Sequence, residues 1–451
     1  MTKEKGILLP IFSLPSDYGI GDFGENAYKF IDILSENKID YWNILPIYDT
    51  NDNAFYSPNS FYALFTLYVS LDDLYEKGLI NKPKKYKKEN RINYEKVYEY
   101  KSKYFEEAFS NFKEDEKFKK FIENKNISDY AEFKYYIQKY KNIDNIVLEE
   151  NIDTRYYLFL QYILHEEWYK LKEYANKKGV KILGDMPIYP DYNSAEVFKN
   201  KDMYQLKDGF KYVSGASPDY FNDKGQKWGH PLYDFDYMQK DNYKYLINRY
   251  LDANQKFDVV RIDHFRAFDT YFKIPIDKEP SYGVYENGPS YVFFDELFKH
   301  TSNDNFIVED LGSEIEKTIE LRNHYNLMGM KVLQYVFDGY EYNDSESGNT
   351  MIYTGNHDND TIVGWYKKSK KKNEIKKFLK DNNCYERKIH FSFIKYALKC
   401  KGRLVIIPVQ DLLGLDTNSR INIPGTCGNF NWSWKLKSFK GIDKNIKRVF
   451  K

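Results

Sequence analysis

Three short acidic motifs each follow an apolar, strand-like run and carry the residue types of acid–base or nucleophilic chemistry. The run Val259-Val260 leads into Arg261-Ile262-Asp263-His264-Phe265-Arg266. Side chains two apart on a strand share a face, so the Arg261 guanidinium can hydrogen-bond the Asp263 carboxylate and keep it ionised, as a nucleophile requires. A buried Arg/Asp ion pair would explain this strand, taken alone, equally well. Phe306-Ile307-Val308 leads into Glu309-Asp310-Leu311-Gly312. Glu309 shares a face with Ile307 at the end of an apolar strand, where partial desolvation raises a carboxyl pKa toward that of a general acid. A helix-capping Glu/Asp pair is the competing reading, and it fits Asp310 better than Glu309. The third motif, Gly355-Asn356-His357-Asp358-Asn359-Asp360-Thr361, offers an imidazole and carboxylates. No further His or Asp at short ligand spacing lies nearby, so a sugar-binding pair fits better than a metal site. Asp185, in Gly184-Asp185-Met186-Pro187-Ile188, is a fourth acid at a strand end. One such acid is weak evidence; four on one rim point to a site.

These acids need a scaffold that brings strand ends together. Eight β-rich runs recur: Ile7 to Phe12, Tyr41 to Ile47, Val180 to Ile188, Phe257 to Phe265, Asn305 to Leu311, Met330 to Phe337, Met351 to Asp358 and Arg403 to Leu412. Near-continuous apolar stretches such as Leu404-Val405-Ile406-Ile407 suit parallel strands covered on both faces. Eight of them with helices between predict an α/β fold, a (β/α)8 barrel of TIM type spanning residues 1–451, with its catalytic groups at the C-terminal strand ends. Two insertions interrupt it. Residues 51–178 read as a mainly helical subdomain, with helical spacing in Phe105, Ala108, Phe109 and Phe112; Tyr156 to Gly179 reads as a barrel helix stopped by Gly179. Residues 191–255 are expected to be a loop-rich substrate-binding segment.

Gly19-Ile20-Gly21-Asp22-Phe23-Gly24 matches the dinucleotide fingerprint, but Ser13 to Tyr18 separate it from the first strand and no acidic ribose hook follows the second. The glycines are expected to serve the turn into the first barrel helix. Lys and Arg number 68 against 67 Asp and Glu, a net charge of +1, which argues against nucleic acid or an anionic membrane as partner. Aromatics make up 18% of the chain, more than a core needs and suited to stacking on sugar faces. Cys384, Cys400 and Cys427 are spaced too widely for a zinc knuckle or a CxxC redox pair. With neither a secretion signal nor a long apolar span, a cytoplasmic protein without metal or cofactor is expected.

From about Gly6 to Lys435 the chain resembles the amylomaltases, or 4-alpha-glucanotransferases, of the alpha-amylase clan. The resemblance is carried by Gly184 to Tyr189, Ser217-Pro218-Asp219-Tyr220-Phe221, Gly225-Gln226-Lys227-Trp228-Gly229-His230-Pro231, Arg261 to Arg266, Glu309 to Gly312, Gly329 to Gln334 and His357 to Thr361, in that family's order. It implies Asp263 as nucleophile, Glu309 as general acid/base and Asp358 as a third carboxylate gripping sugar hydroxyls. It also implies that Arg261, His264 and His357 line the donor subsite, and that Asp219, Tyr220, Phe221, Gln226 and Trp228 contact the glucan around the cleavage point. Asp185, Asp310, Tyr56 and Ser57 complete the expected substrate-binding set. The implied reaction is retaining transfer of alpha-1,4-glucan segments between maltooligosaccharides. An amylase-like hydrolase and a non-catalytic glucan-binding protein are the alternatives.

The chain departs from the family pattern at Ala267, His230, Asn356 and Met328, where Gly, Asn, Thr and Pro are usual, and at Asn59-Ser60, which replaces a Tyr-Gln pair. Phe55 or Tyr56 is then the substitute for the aromatic residue of that loop.

Overall fold

The structure, a computed structural model, describes residues 3–51, 53–218, 223–312, 315–338 and 348–450. Its strands, in chain order, are β1 (Glu4–Leu8), β2 (Tyr41–Asn43), β3 (Lys181–Met186), β4 (Tyr212–Ala216), β5 (Gln226–Lys227), β6 (Val259–Ile262), β7 (Thr270–Pro275), β8 (Val284–Asn287), β9 (Phe306–Val308), β10 (Gly329–Val332), β11 (Thr350–Tyr353) and β12 (Leu404–Pro408). Eight of them form one parallel sheet in the order β10-β11-β12-β1-β2-β3-β6-β9. Its two ends meet at a bridge from Ile307 to Met328, where the Val308 N–H donates to the Met328 carbonyl at 2.8 Å. The sheet is a nearly closed barrel with helices between its strands, the (β/α)8 architecture implied by the eight apolar runs.

The apolar runs overshoot the strands. Met330 to Phe337 divides into β10 and a helix at Leu333–Asp338, and Arg403 to Leu412 into β12 and a helix at Val409–Leu413. An apolar run reports burial rather than pitch, and many residues that turn over the barrel mouth are as buried as the strand behind them.

Between β2 and β3 lie helices Leu71–Glu76, Tyr94–Asn111, Glu116–Ile122, Lys125–Tyr140 and Arg155–Lys177. Ser70, Asn93, Asp115 and Asn124 start the first four, each side chain accepting a bond from a first-turn backbone N–H. Lys101, fully buried, ties the second of them to the rim by donating to the carbonyls of Leu67 and Val69 at 2.6 Å each. Gly179, at φ +78°, comes after the last helix as its stop. In the fingerprint-like segment, Gly24 precedes the helix Glu25–Glu36, and a Cβ there would lie 2.5 Å from Ser70 Oγ. Its glycines are needed for close packing in that turn.

Segment 191–255 has more regular structure than the expected loop. It holds helices Ala195–Lys199, Phe235–Gln239 and Lys244–Lys256, and strands β4 and β5, which join β7 and β8 in an antiparallel sheet of order β5-β4-β7-β8. The partners β7 and β8 come after β6, so this pairing is non-local and leaves no mark in the segment's own periodicity. No helix among the described residues is long and apolar enough to cross a membrane.

Asp310 is part of the scaffold rather than the sugar-binding group expected of it. Its Oδ1 accepts from the Met330 N–H at 2.9 Å and its Oδ2 from Arg322 Nη1, which stitches β9 to β10 where the barrel closes. The residue is 7% exposed, and burial raises its pKa against the opposing pull of Arg322. Arg322→Leu strands that carboxylate, and the urea unfolding midpoint should fall by the equivalent of about 3–5 kcal/mol. A loss below about 1 kcal/mol would show that the seam does not depend on this pair.

Candidate active site

Parallel register assembles the site. In the β3–β6 pair, Asp185 stands beside Arg261; in the β6–β9 pair, Ile262 stands beside Val308, so Asp263 and Glu309 are the next residues out on neighbouring strands. The ladder continues past the strand ends, with the Asp263 N–H donating to Met186 O at 3.1 Å and the Glu309 N–H to Ile262 O at 3.0 Å.

Arg261 Nη1 lies 2.6 Å from Asp185 Oδ1 and 2.9 Å from Asp263 Oδ1. Asp185 and Arg261 are 1% and 5% exposed, whereas Asp263 is 21% exposed, so of the two acids only Asp263 is open to a ligand. Burial pushes Asp263 up to about 6, with Arg261 as the main opposing influence. The even choice between nucleophile and buried ion pair is thus divided: Asp185 is the structural partner and Asp263 the accessible one.

Glu309 is cradled by backbone. The His264 N–H donates to its Oε2 at 3.1 Å and the Leu311 N–H to its Oε1 at 2.9 Å. His264 can aim its N–H this way because it takes the left-handed conformation, φ +46°, at a cost of about 1–2 kcal/mol for a non-glycine residue. Burial pushes Glu309 up to about 7; the anionic Asp263 adds to the rise, and Arg261 and the Leu311 N–H oppose it. Near neutrality the neighbouring carboxyls therefore take different protonation states, one anionic and one able to donate a proton.

Asp358, 34% exposed, lies just beyond β11. Burial alone would raise its pKa, but His357 at 3.3 Å and a 2.6 Å bond from Asn422 Nδ2 bring it down to about 2. Arg420 Nη2 also donates to its backbone carbonyl. Burial disfavours a charged His357, yet the Asp358 carboxylate outweighs this and raises its pKa.

The other expected residues divide between the mouth and its walls. Tyr56 donates to Asp185 Oδ2 at 2.6 Å and stacks on His357 with ring centroids 5.0 Å apart, so Tyr56 rather than Phe55 reaches the site. Phe55 is fully buried against Phe12. Ser57 Oγ bonds His230 Nε2 at 2.5 Å, fastening the rim loop to the second sheet. Gln226 lies in β5 and accepts from Trp228 Nε1 at 3.1 Å, and Trp228 meets the His264 ring edge-on at 4.7 Å. Burial, aided by the charge of Arg266, lowers the His264 imidazole to about 3, leaving it neutral at pH 7. Asp219, Tyr220 and Phe221 lie outside the described residues.

Asn422, Arg420 and Trp432 were not anticipated. Trp432 lies 5.5 Å from Tyr56 and 5.8 Å from His357, ring to ring. All three fall beyond β12, in a segment without strand or motif signal, so only their position in space marks them.

This geometry can be tested by pH and by mutation. With Asp263 required as the anion and Glu309 as the acid, kcat/KM should fall as pH drops through about 6 and again as it rises through about 7; a flat profile across both values would separate these groups from the chemistry. Asn422→Ala should lower kcat/KM about tenfold with the thermal midpoint unchanged, and full activity in that variant would show that His357 alone holds Asp358.

Relatives of known type share this architecture. The family described as 4-alpha-glucanotransferase matches residues 9–440. A 4-alpha-glucanotransferase of Clostridium butyricum is 35% identical, with 95% of each chain covered. One from Aquifex aeolicus is 32% identical over 96% of this chain and 95% of its own. The structure of the Streptococcus agalactiae amylomaltase in complex with acarbose superposes with a TM-score of 0.90 at 28% identity, covering 99% of this chain and 98% of that one. The chain belongs to the 4-alpha-glucanotransferase family.

Proposed function

We propose that the protein transfers alpha-1,4-glucan segments between maltooligosaccharides by retaining double displacement. The observation that carries this is the placement of Asp263, paired with Arg261, and Glu309, held by two backbone N–H groups, one residue beyond adjacent strands. A retaining mechanism asks for carboxyls about 5–5.5 Å apart, and neighbouring strands are spaced about 4.8 Å.

In the first half, Asp263 attacks the anomeric carbon while Glu309 gives its proton to the departing glycosidic oxygen, leaving a covalent glucosyl ester on Asp263. In the second, the 4-hydroxyl of an acceptor glucan attacks that carbon, Glu309 takes the hydroxyl proton, and the ester bond to Asp263 breaks. Asp358, anionic and partly exposed, grips hydroxyls of the sugar at the scissile bond. Trp228 and Trp432 offer flat faces for neighbouring sugars. Every step draws on side chains alone.

Incubation with maltotriose tests this directly. Glucose and a ladder of longer oligosaccharides should form at constant reducing ends, and Asp263→Asn should form none. Shorter sugars with rising reducing ends would mean a hydrolase, and an unchanged substrate would mean a glucan-binding protein.

A further inference from the structure

Tyr56 stands where two halves of the site meet. Its hydroxyl donates to Asp185 Oδ2 at 2.6 Å and lies 3.5 Å from His357 Nδ1. Asp185 uses its other oxygen on Arg261 Nη1, the same nitrogen that reaches Asp263. His357 turns its Nε2 to Asp358. A continuous chain therefore runs Asp358, His357, Tyr56, Asp185, Arg261, Asp263. Tyr56 comes from the rim loop that departs from the family pattern and has no place in the bond-making steps above.

Arg261 Nη1 has two N–H donors and can serve both carboxylates, so what they compete for is the guanidinium's charge, and the anionic Asp185 opposes the ionisation of Asp263. A hydroxyl proton delivered to Asp185 satisfies part of that demand. We propose that Tyr56 is a positioning residue whose hydroxyl sets how Arg261 is divided between Asp185 and Asp263, and so how readily the nucleophile stays anionic. The proposal rests on the reading of Asp263 as nucleophile. The charged or titratable groups around Asp263, besides Tyr56, are Asp185 at the end of β3, Tyr250 in the helix Lys244–Lys256, Arg261 in β6, Glu309 after β9, and His357 and Asp358 after β11. Of these, Asp185 is the one the Tyr56 hydroxyl bonds directly at short range.

Removing the hydroxyl leaves Asp185 to draw on Arg261 alone. The guanidinium then shields Asp263 less, and the nucleophile takes up its proton at higher pH. Tyr56→Phe keeps the ring that stacks on His357 and Trp432 and deletes only this donor. In kcat/KM profiles for maltotriose, the acid limb should move up by about half a pH unit, a loss of about threefold on that limb. The alkaline limb set by Glu309 should stay in place. A residue that merely supports the fold would lower both limbs together.

Asp185→Asn makes the opposite prediction. With the competing charge gone, the acid limb moves down, and adding Tyr56→Phe to that background has no further effect. The proposal is overturned by a Tyr56→Phe profile that superimposes on the wild type, or by the same shift persisting in the Asp185→Asn background. If Tyr56→Phe does not fold, Asp185→Asn decides alone, and an unmoved or raised acid limb overturns the idea. Failure of the transfer reading looks different: the wild type then leaves maltotriose unchanged or gives only shorter sugars with rising reducing ends, before any variant is made.

Discussion

A guanidinium buried at the end of a barrel strand must be neutralised, and much of the site is set by how Arg261 meets that demand. At 5% exposure it cannot rely on water, and removing a partner from a buried ion pair costs about 3–5 kcal/mol. Parallel register supplies Asp185 from β3, and the next residue but one on its own strand supplies Asp263. The pairing that keeps the barrel's charge balanced is thus the pairing that holds one carboxylate anionic at the mouth. Fold and site share the same atoms, and Asp263 cannot be removed without changing the charge balance around Arg261.

Glu309 is handled by other means. Two backbone N–H groups orient its oxygens, and burial keeps its proton on. Dipoles fix direction with little charge, so the carboxyl remains an acid. The strained turn at His264 is the cost of this arrangement, offset by bonds from Phe265 N–H to Glu309 O and from Ala267 N–H to His264 O. Two acids on adjacent strands acquire different chemistry from different supports.

The strand-end acids were legible because a barrel turns sequence position into spatial position: a residue just past an apolar run lies at the mouth. Asp263, Glu309 and Asp358 all obeyed this rule, as did the order of the eight strands. Strand ends were not legible, since Leu333 and Val409 are buried in helices as thoroughly as in any strand. The strand-end rule does not say which way a carboxylate points, and that of Asp310 points into the seam. Asn422, Arg420 and Trp432 obey no local pattern; only tertiary folding carries them to Asp358 and His357. The β5-β4-β7-β8 sheet was hidden by a pairing that skips across a barrel strand.

That second sheet has a core of its own, and a small one: Val213, Phe272 and Ile274, with Phe210 packed at its side. Its attachment to the barrel runs through Tyr271 of β7, which is buried in the barrel's own core. Gln226 lies on this sheet and Trp228 is the first residue past its strand β5. The wall beside the carboxylates therefore rests on a small sheet with a thin core, while the carboxylates themselves stand on the barrel.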